Sequence, residues 1–159
     1  MGKPLVVILM GSKSDLEHSR KIEAACKGYG IETVLRIGSA HKTAEHVLAI
    51  LREYEADARS KVYITVAGRS NALSGFTDGV VSAPVIACPP VSDAFGGADI
   101  YSSLRTPSGI APAVVLEPAN AALLAAKILG LVDAQVRAAV SASQKQAAEK
   151  NIQDDQALV

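Results

Sequence analysis

Short extended runs alternate with helical patterns along almost the whole of this chain, and that alternation leaves few folds open. Leu5–Met10 is a continuous, β-branched apolar run that stops at Gly11. It reads as a buried strand. Residues 14–29 follow with Ile22, Ala25, Cys26 and Tyr29 at helical spacing, and Gly28 and Gly30 close that helix. Glu32–Ile37 reads as a second strand and Thr43–Tyr54 as a helix with Val47, Ile50, Leu51 and Tyr54 on one face. Val62–Ala67 is a third strand, stopped by Gly68, and Asn71–Val81 a helix weakened by Gly75 and Gly79. Pro84–Cys88 is a short fourth strand before Pro89-Pro90, and Ala113–Leu116 a fifth. Pro118–Leu129 is an Ala/Leu helix with proline at its start and Gly130 at its end.

Such alternation implies a parallel sheet covered on both faces. Right-handed crossovers then give a doubly wound, three-layer α/β/α sandwich, flavodoxin-like, with five strands in the order 2-1-3-4-5. The 159 residues fit one such domain, and 49% apolar against 20% charged residues supplies its core. Two segments stand outside the pattern. Residues 91–112 are rich in Gly, Ser, Asp and Pro, with a short helix around 97–104; the stretch after the fourth strand through Gly109 is too long for a connector, and 91–109 is a lid or a subunit contact. Residues 133–155 form an Ala/Gln/Lys-rich helix whose apolar stripe (Val136, Ala139, Val140) is thin. A helix of that kind is poorly stabilised alone. It packs on another subunit or frays into solvent.

Charge removes some function classes. Sixteen basic residues balance sixteen acidic ones, so the excess expected of a nucleic-acid binder is missing, while a local cationic cluster for a phosphate ester stays open. Cys26 and Cys88 lie far apart, forming neither a metal pair nor a disulfide framework, which points to a reducing, cytoplasmic setting. No apolar run approaches the ~20 residues of a membrane span, and no signal peptide is read at the N-terminus.

Ligands of doubly wound sheets bind outside the carboxyl ends of the strands, and three unusual segments follow strands. Gly11-Ser12-Lys13-Ser14-Asp15 leads into a helix whose free N–H groups and dipole suit a phosphate. Ser12 and Ser14 add hydroxyl donors, and Asp15 can accept from ribose hydroxyls. Ser14-Asp15-Leu16-Glu17 also has the form of a capping box, so the segment caps, binds, or does both. It is neither a P-loop nor a dinucleotide fingerprint.

Gly38-Ser39-Ala40-His41-Lys42-Thr43 opens on a glycine that permits an unusual turn. Lys42 at a helix N-terminus is unfavourable unless an anion lies nearby. An imidazole, with a reference pKa of about 6.5, suits proton transfer, which makes His41 the candidate acid–base; the alternative is a capping or surface histidine. His18 and His46 fall inside helices and read as surface or packing residues, and the three histidines have no acidic partner spacing for a metal. In Ala67-Gly68-Arg69-Ser70-Asn71, Gly68 allows close approach to a ligand and the successive N–H groups an anion nest. Arg69 can hold a carboxylate or phosphate, and Asn71 can cap the next helix instead. Arg105, beside Ser102 and Ser103, reads as an anion contact or a surface salt bridge.

GSKSD, SAHK and AGRSN, followed in order by PVIACPP, DIYSSLR and PSG, resemble the aminoimidazole ribonucleotide carboxylases of purine biosynthesis over roughly residues 4–132. One branch of that family is a mutase that moves a carboxylate from the N5-carbamate to carbon 4 of the imidazole. Its third motif resembles AGGAAHLPG. The other branch, class II, carboxylates aminoimidazole ribonucleotide directly with CO2. Here the third motif, Ala67 to Gly75, has no histidine, and Lys42 stands where the mutase branch has arginine. Both features resemble the direct carboxylases.

The resemblance implies a reversible lyase acting without ATP, biotin, metal or other cofactor, in a homo-octamer with sites near subunit contacts. It implies Ser14, Ser39 and Lys42 around the phosphate and Asp15 at the ribose. It implies Gly11 and Ser12 near the imidazole, Gly68, Arg69, Ser70 and Asn71 at the base and CO2, and His41 as proton carrier. Residues 1–132 are then the catalytic domain and 133–159 a tail on a neighbouring subunit. A nucleotide-binding module without chemistry, and a structural oligomer built around its tail helix, remain as alternatives from the residues alone.

Overall fold

The computed structural model describes residues 2–158. Six strand residues in a row are fully or almost fully buried in β1 (Leu5–Met10), because that strand is interior to the sheet, paired along both edges and packed on both faces. Around it lie β2 (Glu32–Ile37), β3 (Lys61–Val66), β4 (Val85–Ala87) and β5 (Ala113–Val114), all parallel, in the order β2-β1-β3-β4-β5. The fold expectation therefore holds, strand order included. β5 is shorter than the Ala113–Leu116 read from sequence, and it pairs with β4 through two residues only.

The period of two along a strand builds two separate cores. Val6, Ile8 and Met10 point to one face, where they meet Ile22 and Cys26 of α1 (Leu16–Gly28) and Ala121, Ala122, Ala125 and Ala126 of the later helix Pro118–Leu129. Leu5, Val7 and Leu9 point to the other face and meet Val47, Ile50 and Leu51 of α2 (Ala44–Glu55) and Leu73 of α3 (Ala72–Asp78). Each such aliphatic side chain contributes roughly 1.5–3 kcal/mol by leaving water.

α3 ends at Asp78 rather than Val81, since Gly79 takes the C-cap and Val80 and Val81 fold back onto the Thr77 carbonyl. Residues 94–100 form a 3-10 segment, kinked where Phe95, Gly96 and Gly97 take positive φ, that runs into the single turn α4 (Tyr101–Leu104). α5 (Pro118–Leu129) passes through a tight turn into α6 (Ala134–Gln156). Asp133 caps α6 through the N–H groups of Gln135 and Val136, and the Arg137 guanidinium donates to the Gly130 carbonyl at 2.7 Å. Val136 and Val140 thereby join the first core, whereas every residue from Ser141 to Leu158 is exposed. Met1 and Val159, the outer ends of the two spans read from sequence, lie outside the described residues. Among the described residues no helix is long and apolar enough to cross a membrane.

Candidate functional site

The backbone ladder carries each of the three turns to the same end of the sheet. Gly11 N–H donates to the Val66 carbonyl and Gly38 N–H to the Met10 carbonyl, both at 2.9 Å, so the turns leave β1, β2 and β3 side by side. They enclose one cleft of about 680 Å3. Its walls are Gly11, Ser12, Ser14 and Asp15 from the first turn, Ser39, Ala40, His41 and Lys42 from the second, and Gly68, Arg69 and Ser70 from the third. Ten of the eleven residues singled out in the sequence thus converge. Asn71 does not line the cleft. It is buried, and its side-chain oxygen accepts from Ser74 N–H at the start of α3, the capping role that the sequence left open.

In the first turn the capping pair differs from the one read in sequence. Ser12 N–H donates to Asp15 Oδ2 at 3.1 Å, and the Ser12 hydroxyl reaches the same oxygen at 3.3 Å. A 3-10 turn, Lys13–Asp15, precedes α1, so the reach-back carboxylate is Asp15 and not Glu17, which pairs with Lys21 instead. Ser12 and Ser14 share a hydroxyl contact at the cleft. Asp15 Oδ1 makes no hydrogen bond among the described residues, so one carboxylate oxygen is left to accept from a ligand.

In the second turn Ser39 and Thr43 close a loop on each other. Ser39 N–H donates to the Thr43 hydroxyl at 2.9 Å, Thr43 N–H to the Ser39 carbonyl at 2.9 Å, and Lys42 N–H to the Ser39 hydroxyl at 3.2 Å. The Ser39 hydroxyl accepts in that bond and keeps its own proton for a ligand. The glycine before it is required for space rather than for an unusual backbone. A Cβ on Gly38 would sit 2.7 Å from Val47 Cγ2, while its φ lies outside the positive range.

In the third turn the positive φ falls on Arg69, at 57°, and not on Gly68. A left-handed non-glycine residue costs about 1–2 kcal/mol, and strain held by surrounding contacts is typical of working sites. Among the described residues the N–H groups of Arg69 and Ser70 donate to no protein acceptor. Lys42 and Arg69 likewise enter no ion pair there. Two uncompensated cations, free N–H groups and five serines on one cleft form an electrostatic setting for an anion.

Three further residues contribute that the sequence reading did not place at the site. Leu73, Pro90 and Ser92 complete the wall with Ala67 of the third turn, and Gly68 packs against the Pro90 ring. The diproline after β4 was the available signal. A smaller cavity of about 210 Å3 adjoins the cleft behind Gly68, Pro90 and Ser92. His18 lies one helical turn inside α1, with Nε2 3.4 Å from Cys88 Sγ. Burial lowers the His18 pKa and pushes the Cys88 thiol up to about 12, with the Glu117 charge adding to the thiol's shift. Both groups are neutral near pH 7, so the pair is packing rather than a thiolate nucleophile. His46 is exposed on α2. Arg105 is exposed and makes no salt bridge among the described residues, so the surface pairing considered for it is not formed. No group of three or more His, Cys, Asp or Glu side chains is gathered for a metal among those residues.

A family model described as AIR carboxylase matches residues 5–150. The chain is 62% identical over 156 residues to the phosphoribosylaminoimidazole carboxylase of Treponema denticola, covering 98% of each. It is 61% identical over 131 residues to that of Archaeoglobus fulgidus, covering 82% of this chain and 72% of that one. It is 47% identical over 138 residues to the mouse bifunctional phosphoribosylaminoimidazole carboxylase/succinocarboxamide synthetase, covering 87% of this chain and 32% of that protein. The fold is similar to the crystal structure of Treponema denticola PurE, with a TM-score of 0.97 over 98% of this chain and 99% of that one.

Proposed function

This chain belongs to the AIR carboxylase family, and from that premise we propose that it joins CO2 directly and reversibly to carbon 4 of aminoimidazole ribonucleotide. Carboxylation of that ribonucleotide in purine biosynthesis is the activity its relatives carry and the enzyme class of this chain. The observation that carries the reading is the convergence of three sequence-distant turns on one cleft whose lining includes the unpaired cations Lys42 and Arg69 and the free N–H groups of the third turn.

The chemistry follows from that layout. Ser14, Ser39 and Lys42 hold the phosphate, and Asp15 accepts from the ribose hydroxyls. Gly11 and Ser12 border the imidazole. Holding the ribonucleotide at two points turns a bimolecular encounter into an oriented one. The exocyclic amine pushes electron density to carbon 4, which attacks the carbon of CO2. One carbon–carbon bond forms, and the CO2 π pair becomes carboxylate charge. The N–H groups of Arg69 and Ser70 are suited to stabilise that charge as it develops. The proton on carbon 4 then passes to the imidazole of His41, restoring the aromatic ring. In reverse, protonation of carbon 4 precedes release of CO2.

Direct carboxylation rather than transfer from the N5-carbamate is favoured by the third turn, which carries Arg69 and Ser70 and no histidine. Initial rates decide it. The chain is expected to consume aminoimidazole ribonucleotide with CO2 or bicarbonate supplied, and to leave the N5-carbamate substantially unreacted. Faster turnover of the carbamate would assign the mutase reaction instead. A homo-octameric, cytoplasmic enzyme is the assembly and location we propose. The exposed apolar side chains Val91, Phe95, Tyr101 and Leu104, and the exposed length of α6 beyond Val140, support burial against further copies.

A further inference from the structure

The turn at 68–71 carries a left-handed arginine at the cleft wall, and something outside the turn must hold it there. Ser102, on α4 and more than thirty positions along the chain, does not line the cleft but bonds both sides of the Arg69–Asn71 backbone. Its hydroxyl oxygen accepts from Asn71 N–H at 2.9 Å. Its single proton faces the carbonyls of Asp99, at 2.8 Å, and Arg69, at 3.2 Å. Next to it, Ser103 is buried, and its hydroxyl accepts from Asn71 Nδ2 at 3.0 Å. Asn71 in turn fixes α3 through Ser74. The kinked 94–100 segment and α4 thus grip two consecutive peptide units, those on either side of Ser70, which link the strained Arg69 to the buried Asn71.

We propose that Ser102 is a positioning residue for the carboxylation step, with Ser103 as its buried support. Ser102 holds the Arg69 and Ser70 N–H groups where carboxylate charge develops. The proposal rests on the reading that this turn serves the chemical step. The phosphate-binding side of the cleft, on the first two turns, makes no bond to Ser102. Loss of the hydroxyl is therefore expressed in kcat and not in ribonucleotide affinity. Displacement of a preorganised donor by a fraction of an ångström lowers rates by factors of ten to a hundred, because the transition state alone depends on it.

The test uses the full chain and aminoimidazole ribonucleotide. Ser102→Ala is expected to lower kcat by about 10–100-fold, with affinity for the ribonucleotide in CO2-free buffer unchanged and the melting temperature lowered only by about 2–4 °C, the effect of one lost hydrogen bond. Ser102→Thr, which keeps the hydroxyl, restores kcat. Amide exchange at Asn71 quickens in the alanine variant and returns to normal in the threonine variant. A kcat for Ser102→Ala equal to that of the parent overturns the proposal. So does a parallel loss of kcat, affinity and melting temperature, which would mark a purely structural role. His41→Asn, run alongside, separates the two levels of the argument. If it retains full turnover, the acid–base reading of the cleft fails; if it loses turnover while Ser102→Ala does not, only the positioning role fails.

Discussion

A single methyl added at position 38 tests whether the second turn is held by packing. Gly38 is buried beneath α2, and a Cβ placed on it would lie 2.7 Å from Val47 Cγ2, 3.6 Å from Ile50 Cδ1 and 3.7 Å from Leu9 Cδ1. The first distance is well inside the usual carbon–carbon optimum of about 3.5–4.0 Å. Relief is hard on both sides. Gly38 N–H is bonded to the Met10 carbonyl, so the backbone cannot retreat from the sheet without breaking that bond. Val47 is fully buried in a helix, where a β-branched side chain has one strongly preferred rotamer. Overpacking of this kind costs about 1–3 kcal/mol. At about 2–4 °C per kcal/mol for a chain of this size, Gly38→Ala is expected to lower the melting temperature by about 2–12 °C. It is also expected to slow turnover, because Ser39, His41 and Lys42 ride on the displaced turn. Val47→Ala alone costs about 1.5–3 kcal/mol through lost burial and a small cavity. In the double variant the new methyl fills that cavity, so the combined loss falls below the sum by at least about 1 kcal/mol, within the coupling range of contacting residues. Calorimetric melting of the four proteins measures this directly. A Gly38→Ala melting temperature equal to that of the parent, or strict additivity in the cycle, would refute the steric argument.

Other outcomes follow from the same geometry. Lys42→Ala removes an unpaired cation at the start of α2 and is expected to weaken ribonucleotide binding several-fold, more so at low salt; unchanged affinity by titration calorimetry would remove Lys42 from the phosphate site. Burial raises the Glu55 pKa, but hydrogen bonds from Ser82 N–H, the Tyr63 hydroxyl and the Ser82 hydroxyl, with the Lys61 charge, outweigh it and leave the carboxyl below its ordinary value of 4.5. A depressed folded pKa adds stability above the unfolded value that is lost as pH falls through the folded one. Tyr63→Phe is therefore expected to cost about 1–2 kcal/mol at pH 7 and less below pH 4.5, as read by denaturant melts at several pH values; an equal cost throughout would contradict the linkage.

The strand order and both faces of the sheet were legible in the residues, because strand identity follows from local patterns. Leu5–Met10 alternates its side chains between two helical layers whatever lies around it, and glycine, proline and helical spacing punctuate the rest. The three turns were legible too, since doubly wound sheets bind at the carboxyl ends of their strands and these turns carried serine, histidine and cations. What local patterns could not reveal is which residue acts for which reason. Position 38 is glycine because of Val47, nine residues on and one layer away. The left-handed residue of the third turn is Arg69, held by contacts from the 94–104 segment and not by a glycine of its own. Asn71 sits beside the cleft yet faces the interior, and Ser102, which sequence placed with Arg105, reaches the turn instead. Periodicity and turn chemistry act over a few bonds and are written in the chain, whereas these assignments depend on distances between segments that come together only when the sheet has closed its layers.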